Sequence, residues 1–148
     1  MVAYTAETIN TDAVIIGAGP VGLFQAFQLG LLEINCHIVD ALPHTGGQCG
    51  ELYGDKPIYD IPGTVATTGH GLAEALLQQI APFKVPMHLG EQVVSLQREP
   101  DGRLRLSTTR GTVFVAKTVF IAAGVGAFVP RRIGIEGLER FEGTQVFY

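Results

Sequence analysis

The sequence predicts an α/β fold organised around a parallel sheet, and three observations carry that reading. Two short apolar runs, residues 12–16 and 118–122, each stop at small residues, as strands covered on both faces do. A glycine-rich turn and a helix-patterned stretch follow the first run and lead to a third apolar segment, residues 36–39. Between these parts lie short β segments joined by Asp101-Gly102 and Arg110-Gly111.

Taken in order, residues 12–16 form the first strand and Gly17 ends it. Apolar residues at 23, 24, 26, 27 and 29, with no proline between them, predict a helix packed on the sheet. Residues 36–39 give the second strand, closed by Asp40. Strand, helix and strand within about 30 residues is the size of a βαβ crossover.

From 41 to 63 the chain reads as a long loop rich in Gly and Pro, a kind that is usually functional. A second helix is expected from about His70 to Ile80, with Thr67 or Thr68 as N-cap and Ala81-Pro82 as its stop. A short strand at 85–89 comes next. Segments 92–98, 104–108 and 112–116 suggest an antiparallel meander, and 118–122 a separate buried strand.

Composition bounds the function. The 148 residues read as one domain, 47% apolar and 16% charged, the balance of a globular protein. A net charge of −4 without like-charge runs argues against nucleic acid, which needs a concentrated basic face. No stretch reaches the roughly 18 apolar residues of a membrane helix, and residues 1–10 lack the regions of a secretory signal. Cys36 and Cys49 are too far apart for a CxxC pair and read as free thiols of a reducing cytoplasm.

Gly17-Ala18-Gly19-Pro20-Val21-Gly22 fits G-x-G-x-x-G between a strand and a helix, and Asp40 lies 18 residues beyond its last glycine. Gly17 permits the tight turn, Gly19 admits a pyrophosphate close to the backbone, and Gly22 lets the helix lie on the strand. The helix N-terminus offers unpaired N–H groups and partial positive charge to phosphate. Asp40 can accept both hydroxyl hydrogens of an adenosine ribose, and its carboxylate would repel a 2′-phosphate. Ala26 and Gly30 extend a thin stripe at intervals of four, expected to face the sheet. These features predict dinucleotide binding without separating FAD from NAD.

The later motifs separate them. The meander followed by a strand ending Ala122-Ala123-Gly124 resembles the FAD domain of two-dinucleotide flavoproteins. Thr45-Gly46-Gly47-Gln48 resembles the GGQ loop of their thioredoxin-reductase-like branch. Residues 46–63, GGQCGELYGDKPIYDIPG, and 124–131, GVGAFVPR, resemble the corresponding stretches of thioredoxin-reductase-like ferredoxin–NADP reductases. Gly54 and Asp55 depart from that family, which has Pro and Glu there. The resemblance covers residues 12–148.

What it implies is a Rossmann-like FAD-binding fold: a parallel sheet with helices on one face and a three-stranded antiparallel meander on the other. It also implies residue roles. Tyr53 matches the aromatic residue that stacks on the isoalloxazine, where a planar ring wants an aromatic face, and Gln48 matches the loop residue near the ribityl chain and ring. Val93 matches the backbone contact to adenine, Ala123 and Gly124 the closing turn, and Phe128 the residue beside it. Gly47 and Pro20 are counted with the cofactor contacts. The bland alternatives are a loop anchor for Tyr53, core packing for Phe128 and a plain strand position for Val93.

No catalytic residue, metal-ligand cluster or paired acid stands out. His37, His70 and His88 read as structural. His44 is close enough to the glycine-rich loop for a phosphate or water, Cys49 could be a redox thiol beside the flavin, and Arg131-Arg132 reads as a solvated pair or a contact to an acidic redox partner.

A reductase of this type also needs NAD(P)H, and the sequence contains one G-x-G-x-x-G and no other. It ends on the apolar run 145–148. The expectation is therefore that residues 1–148 are the N-terminal portion of the FAD domain, without the NAD(P)H domain and the C-terminal segment that completes the FAD site. The whole protein would pass electrons between NAD(P)H and ferredoxin or flavodoxin, as a homodimer. Two other readings stay open: a thioredoxin reductase, and a non-catalytic dinucleotide-binding redox sensor.

Overall fold

The computed structural model describes residues 8–127, 134–141 and 143–146. Strand β1, Thr8–Ile16, leads through the glycine turn into helix α1, Pro20–Leu31. Proline suits the first helical position, where its missing N–H has no intrahelical partner to lose. The chain returns as β2, Cys36–Asp40, parallel to β1 with Ala13 opposite Cys36 and Ile16 opposite Val39.

The expected loop between 41 and 63 is corrected in two places. Gly47–Tyr53 form a short helix, α2, and Pro57–Ile58 (β3) pairs antiparallel with Thr67–Thr68 (β4). Two glycines within seven residues hide such a helix from propensity; its packing on the next helix sustains it. That helix, α3, spans Gly69–Ile80, and of the two candidate caps Thr68 is the one used: its side chain accepts the Gly71 N–H at 3.0 Å. A 3₁₀ turn at Ala81–Phe83 ends it.

Strand β5, Met87–Leu89, is shorter than expected and pairs parallel with β2. Strands β6, Val93–Arg98, and β7, Leu104–Thr108, run antiparallel and lead into β8, Val113–Ile121. Here a second correction applies. The segments expected as the last meander strand and a separate buried strand are one continuous nine-residue strand. Exposed Lys117 interrupts the apolar run in its middle without interrupting the backbone, since alternate side chains simply face out. β8 pairs with β7 on one side and lies parallel to β1 along its whole length on the other.

The sheet order is therefore β5-β2-β1-β8-β7-β6, with the meander hydrogen-bonded into the parallel sheet through β8. The α/β class stands, and each face has its own core. Ala13, Ile15 and Ile38 meet Leu23, Ala26, Leu29 and Ile80 from α1 and α3. On the other face, Val14 and Val39 meet Leu106, Phe114 and Ala116, so the meander covers the side opposite the helices. Gly30 departs from its expected place: a Cβ there would strike the Phe83 ring rather than the sheet. No helix among the described residues is long and apolar enough to cross a membrane.

Candidate functional site

The βα turn is built by close backbone approach. A Cβ on Gly22 would fall on the Gly17 carbonyl, and one on Gly17 would meet the Ala122 carbonyl. Gly17 also has φ +113, a conformation that favours glycine. Its N–H donates to the Val39 carbonyl at 2.8 Å, and the Ala122 N–H to the Ile16 carbonyl at 2.8 Å. The ends of β2, β1 and β8 are thereby held side by side, at the carboxyl edge where open α/β sheets bind ligands.

Two further turns close on the first. The Gly46 N–H donates to the Ala18 carbonyl at 3.0 Å, and a Cβ on Gly47 would come within 3.0 Å of the Gly19 Cα. From β8, Gly124 (φ +55) lies so close to Gln48 that a Cβ there would be 3.1 Å from its side-chain nitrogen. No side chain caps α1, so its first-turn N–H groups keep their hydrogen-bonding capacity.

Around these turns opens a cavity of about 980 Å³. Gly17, Gly19, Pro20, Asp40, Gly47, Gln48, Tyr53, Val93, Ala123 and Gly124, all picked out from sequence, are on its wall. Gly22 is not; it is spent on helix–strand packing. Phe128 lies outside the described residues, as do Arg131 and Arg132.

The Asp40 carboxylate grips the backbone, accepting the Ala18 N–H at 2.5 Å and the Leu42 N–H at 2.8 Å. An ionised carboxylate has about four acceptor positions, so capacity remains for a ligand. Tyr53, the last residue of α2, is 37% exposed, and its hydroxyl accepts from the Cys49 thiol at 3.7 Å. That contact with Cys49 comes first in pushing the Tyr53 phenol above its ordinary range, followed by burial and the Asp60 charge. α2 is placed by Gly69, where a Cβ would overlap the Cys49 carbonyl.

His44 is not on the cavity wall; its Nε2 pairs with Glu51 at 2.7 Å. His70 stacks against Gly54 and lies 3.5 Å from Asp55, occupying the space a side chain at 54 would need. Sequence reasoning missed Glu91, a buried acid on the wall that accepts the Thr108 hydroxyl at 2.7 Å. It also missed Lys56, the one basic side chain on the wall among the described residues. Nothing local marks Glu91 as a wall residue, because the hydroxyl that it accepts comes from Thr108 at the end of β7. Among the described residues, no three His, Cys, Asp or Glu side chains group as a metal site requires.

No family model matches the chain. It is 62% identical over 143 residues to a protein of Paracidovorax citrulli named ferredoxin–NADP reductase, covering 97% of this chain and 40% of that one. A protein of the same name from Albidiferax ferrireducens is 58% identical over 142 residues, with 96% and 40% covered. One from Acidovorax sp. is 63% identical over 137 residues, with 93% and 39% covered. The chain thus spans about 40% of the length of these curated relatives.

Among solved structures, the thioredoxin reductase of T. acidophilum superposes with TM-score 0.69 at 22% identity, covering 90% of this chain and 41% of that one. Streptococcus pyogenes thioredoxin reductase gives 0.70 at 24%, with 91% and 41% covered. Cyclohexanone monooxygenase from Rhodococcus sp. Phi1, bound to NADP+, gives 0.69 at 21%, with 86% and 28% covered. At these identities the structures establish the shared fold alone.

Proposed function

We propose that this chain is the FAD-binding portion of a flavoprotein reductase that passes electrons between NAD(P)H and ferredoxin or flavodoxin. The observation that carries the reading is the convergence of three small-residue turns, at 17–22, 46–47 and 123–124, on one cavity walled by Asp40 and Tyr53. The similarity of 58–63% to proteins named ferredoxin–NADP reductase supports the choice of reaction.

The residues present fit FAD. Side chains at Gly19 or Gly47 would fill the narrow space between two loops, where a pyrophosphate needs backbone N–H groups and no Cβ. Asp40 would take the adenosine ribose hydroxyls and disfavour a 2′-phosphate by charge. The Val93 backbone would border adenine, Gln48 and Gly124 the ribityl chain, and Tyr53 the ring face. Bound FAD supplies two-electron acceptance and one-electron delivery, while this chain supplies position, polarity and exclusion of water.

In this reading the nicotinamide domain and the segment completing the FAD site belong to further sequence of a cytoplasmic, homodimeric protein. The 148 residues alone then show no turnover. The test is purification of the protein with its continuing reading frame. A flavin absorption band bleached by NADPH and restored by ferredoxin or flavodoxin is expected. Absence of that band would remove the reading, and a band untouched by NADPH would favour a non-catalytic sensor.

A further inference from the structure

Resting on the FAD reading above, we propose that Glu91 is a positioning residue for the adenosine part of the cavity and that the His37–His88 pair governs its hold as pH changes.

Glu91 joins three parts of the fold. Its N–H donates to the Asp40 carbonyl at 2.9 Å, and the Gly90 N–H donates to the Leu42 carbonyl at 2.8 Å. Asp40 and Leu42 are the residues whose carboxylate and N–H brace the glycine turn through Ala18. The Glu91 carboxylate accepts the Thr108 hydroxyl, and Thr108 Oγ1 in turn accepts the Thr112 N–H at 3.2 Å, which pins the β7–β8 turn. Moving that carboxylate moves the corner against which Asp40 is braced.

The third part is the histidine pair. His37 Nδ1 and His88 Nε2 are 3.0 Å apart, and the Phe114 ring packs against both imidazoles, with centroids 5.7 and 4.9 Å away. One hydrogen between two neutral rings satisfies this geometry. Among the described residues, the charged groups facing the pair from the cavity side are Glu91, 4.0 Å from His88 Nδ1, and Arg110 beyond it. On the groove side, which His37 lines, stand Asp12, Glu33, Lys84, Arg103 and Lys117, with Lys117 already on Asp12 at 2.6 Å. Arg103 there is likewise held, by Asp101 at 2.7 Å, and Glu91 is the carboxylate that stands within 4.0 Å of the pair, so a proton added to the pair is stabilised from the Glu91 side.

A proton taken from solvent therefore draws the Glu91 carboxylate from Thr108 toward His88 Nδ1–H, and the 90–92 corner with it. Burial, then the neighbouring His88, hold His37 below its ordinary imidazole range. For Glu91, burial pushes upward, but the Thr108 and Thr112 hydrogen bonds and the His88 and Arg110 charges outweigh it and leave the carboxyl below its usual range. The carboxylate is thus ionised throughout the window in which imidazoles titrate.

The test is a ¹H–¹⁵N NMR titration of the ligand-free chain across about pH 8 to 5, the histidine window. The Ala18, Leu42 and Glu91 amides are expected to move with the His37 ring signal, and to stop moving in His88→Asn. Amides at 18 and 42 that stay flat, or that move unchanged in His88→Asn, overturn the inference. A parallel FAD titration is expected to weaken about tenfold between pH 7.5 and 5.5, one pK unit of linkage, with the dependence lost in His88→Asn and in Glu91→Gln. An equal pH slope in both variants also overturns it. If FAD binds at no pH, the proposed function fails, while the NMR titration still decides this inference.

Discussion

The Asp40 carboxylate reaches back 22 residues to accept the Ala18 N–H at 2.5 Å, tying the end of β2 to the middle of the glycine turn. The acid that sequence motifs assign to a ribose is thus also a structural brace of the pyrophosphate loop. Substitution at 40 should damage both at once. Asp40→Ala is expected to cost about 2 kcal/mol in urea unfolding, since it removes acceptors from two backbone donors, and to weaken FAD more than Asp40→Asn does. Equal stability of Asp40→Ala and the parent would contradict the brace.

Glycines in this chain divide by what surrounds them. Gly22→Ala places a methyl on the Gly17 carbonyl, backbone that cannot swing away, and is expected to cost about 3 kcal/mol, the upper range of overpacking. Gly63 has φ +81 but open space around it, so Gly63→Ala should cost only about 1 kcal/mol of left-handed backbone strain. Chemical denaturation of both variants checks the ranking, and a Gly63 variant as damaged as the Gly22 variant would refute it.

Folding should depend on pH through His37. Its folded-state pKa lies below the ordinary imidazole value, so the folded state binds fewer protons than the unfolded chain. Stability is therefore fully present above the unfolded value of about 6.5 and is lost as pH falls from there through the folded value. The urea midpoint is expected to drop over that range in the parent and to drop less in His37→Gln. A midpoint that rises on acidification would contradict the sign.

Phe114 is fully buried beside the histidine pair and fills the meander-side core. Phe114→Ala is expected to cost about 4 kcal/mol. It should also raise the His37 pKa toward its ordinary value, because water then reaches the ring. NMR titration of that ring separates the two effects, and an unmoved His37 would show that Phe114 does not exclude water from it.

What the sequence made legible was the part whose chemistry is local. The turn at 17–22 needs glycine at fixed spacing, and β1, α1 and β2 carry plain periodicities, so the unit and its four cavity residues, Gly17, Gly19, Pro20 and Asp40, could be read off directly, while Gly47, Gln48, Tyr53, Val93, Ala123 and Gly124 came with the family resemblance. α2 could not, because Gly47 and Gly50 remove the pattern from a seven-residue helix held by Gly69. β8 was split in two because Lys117 faces outward in its middle. The His37–His88–Glu91 cluster was invisible for another reason: residues 37 and 88 meet only through β2–β5 pairing, which places Val39 opposite His88.

The central claim is that the cavity between the three turns is an FAD cradle, and titrating FAD into the 148-residue chain under NMR observation tests it most directly. The expected result is weak, saturable binding that shifts the Gly19, Gly22, Asp40, Gly47 and Gly124 amides, with NADPH leaving those amides unmoved. No shift at saturating FAD, or shifts confined to the groove around His37 and Lys84, would contradict it.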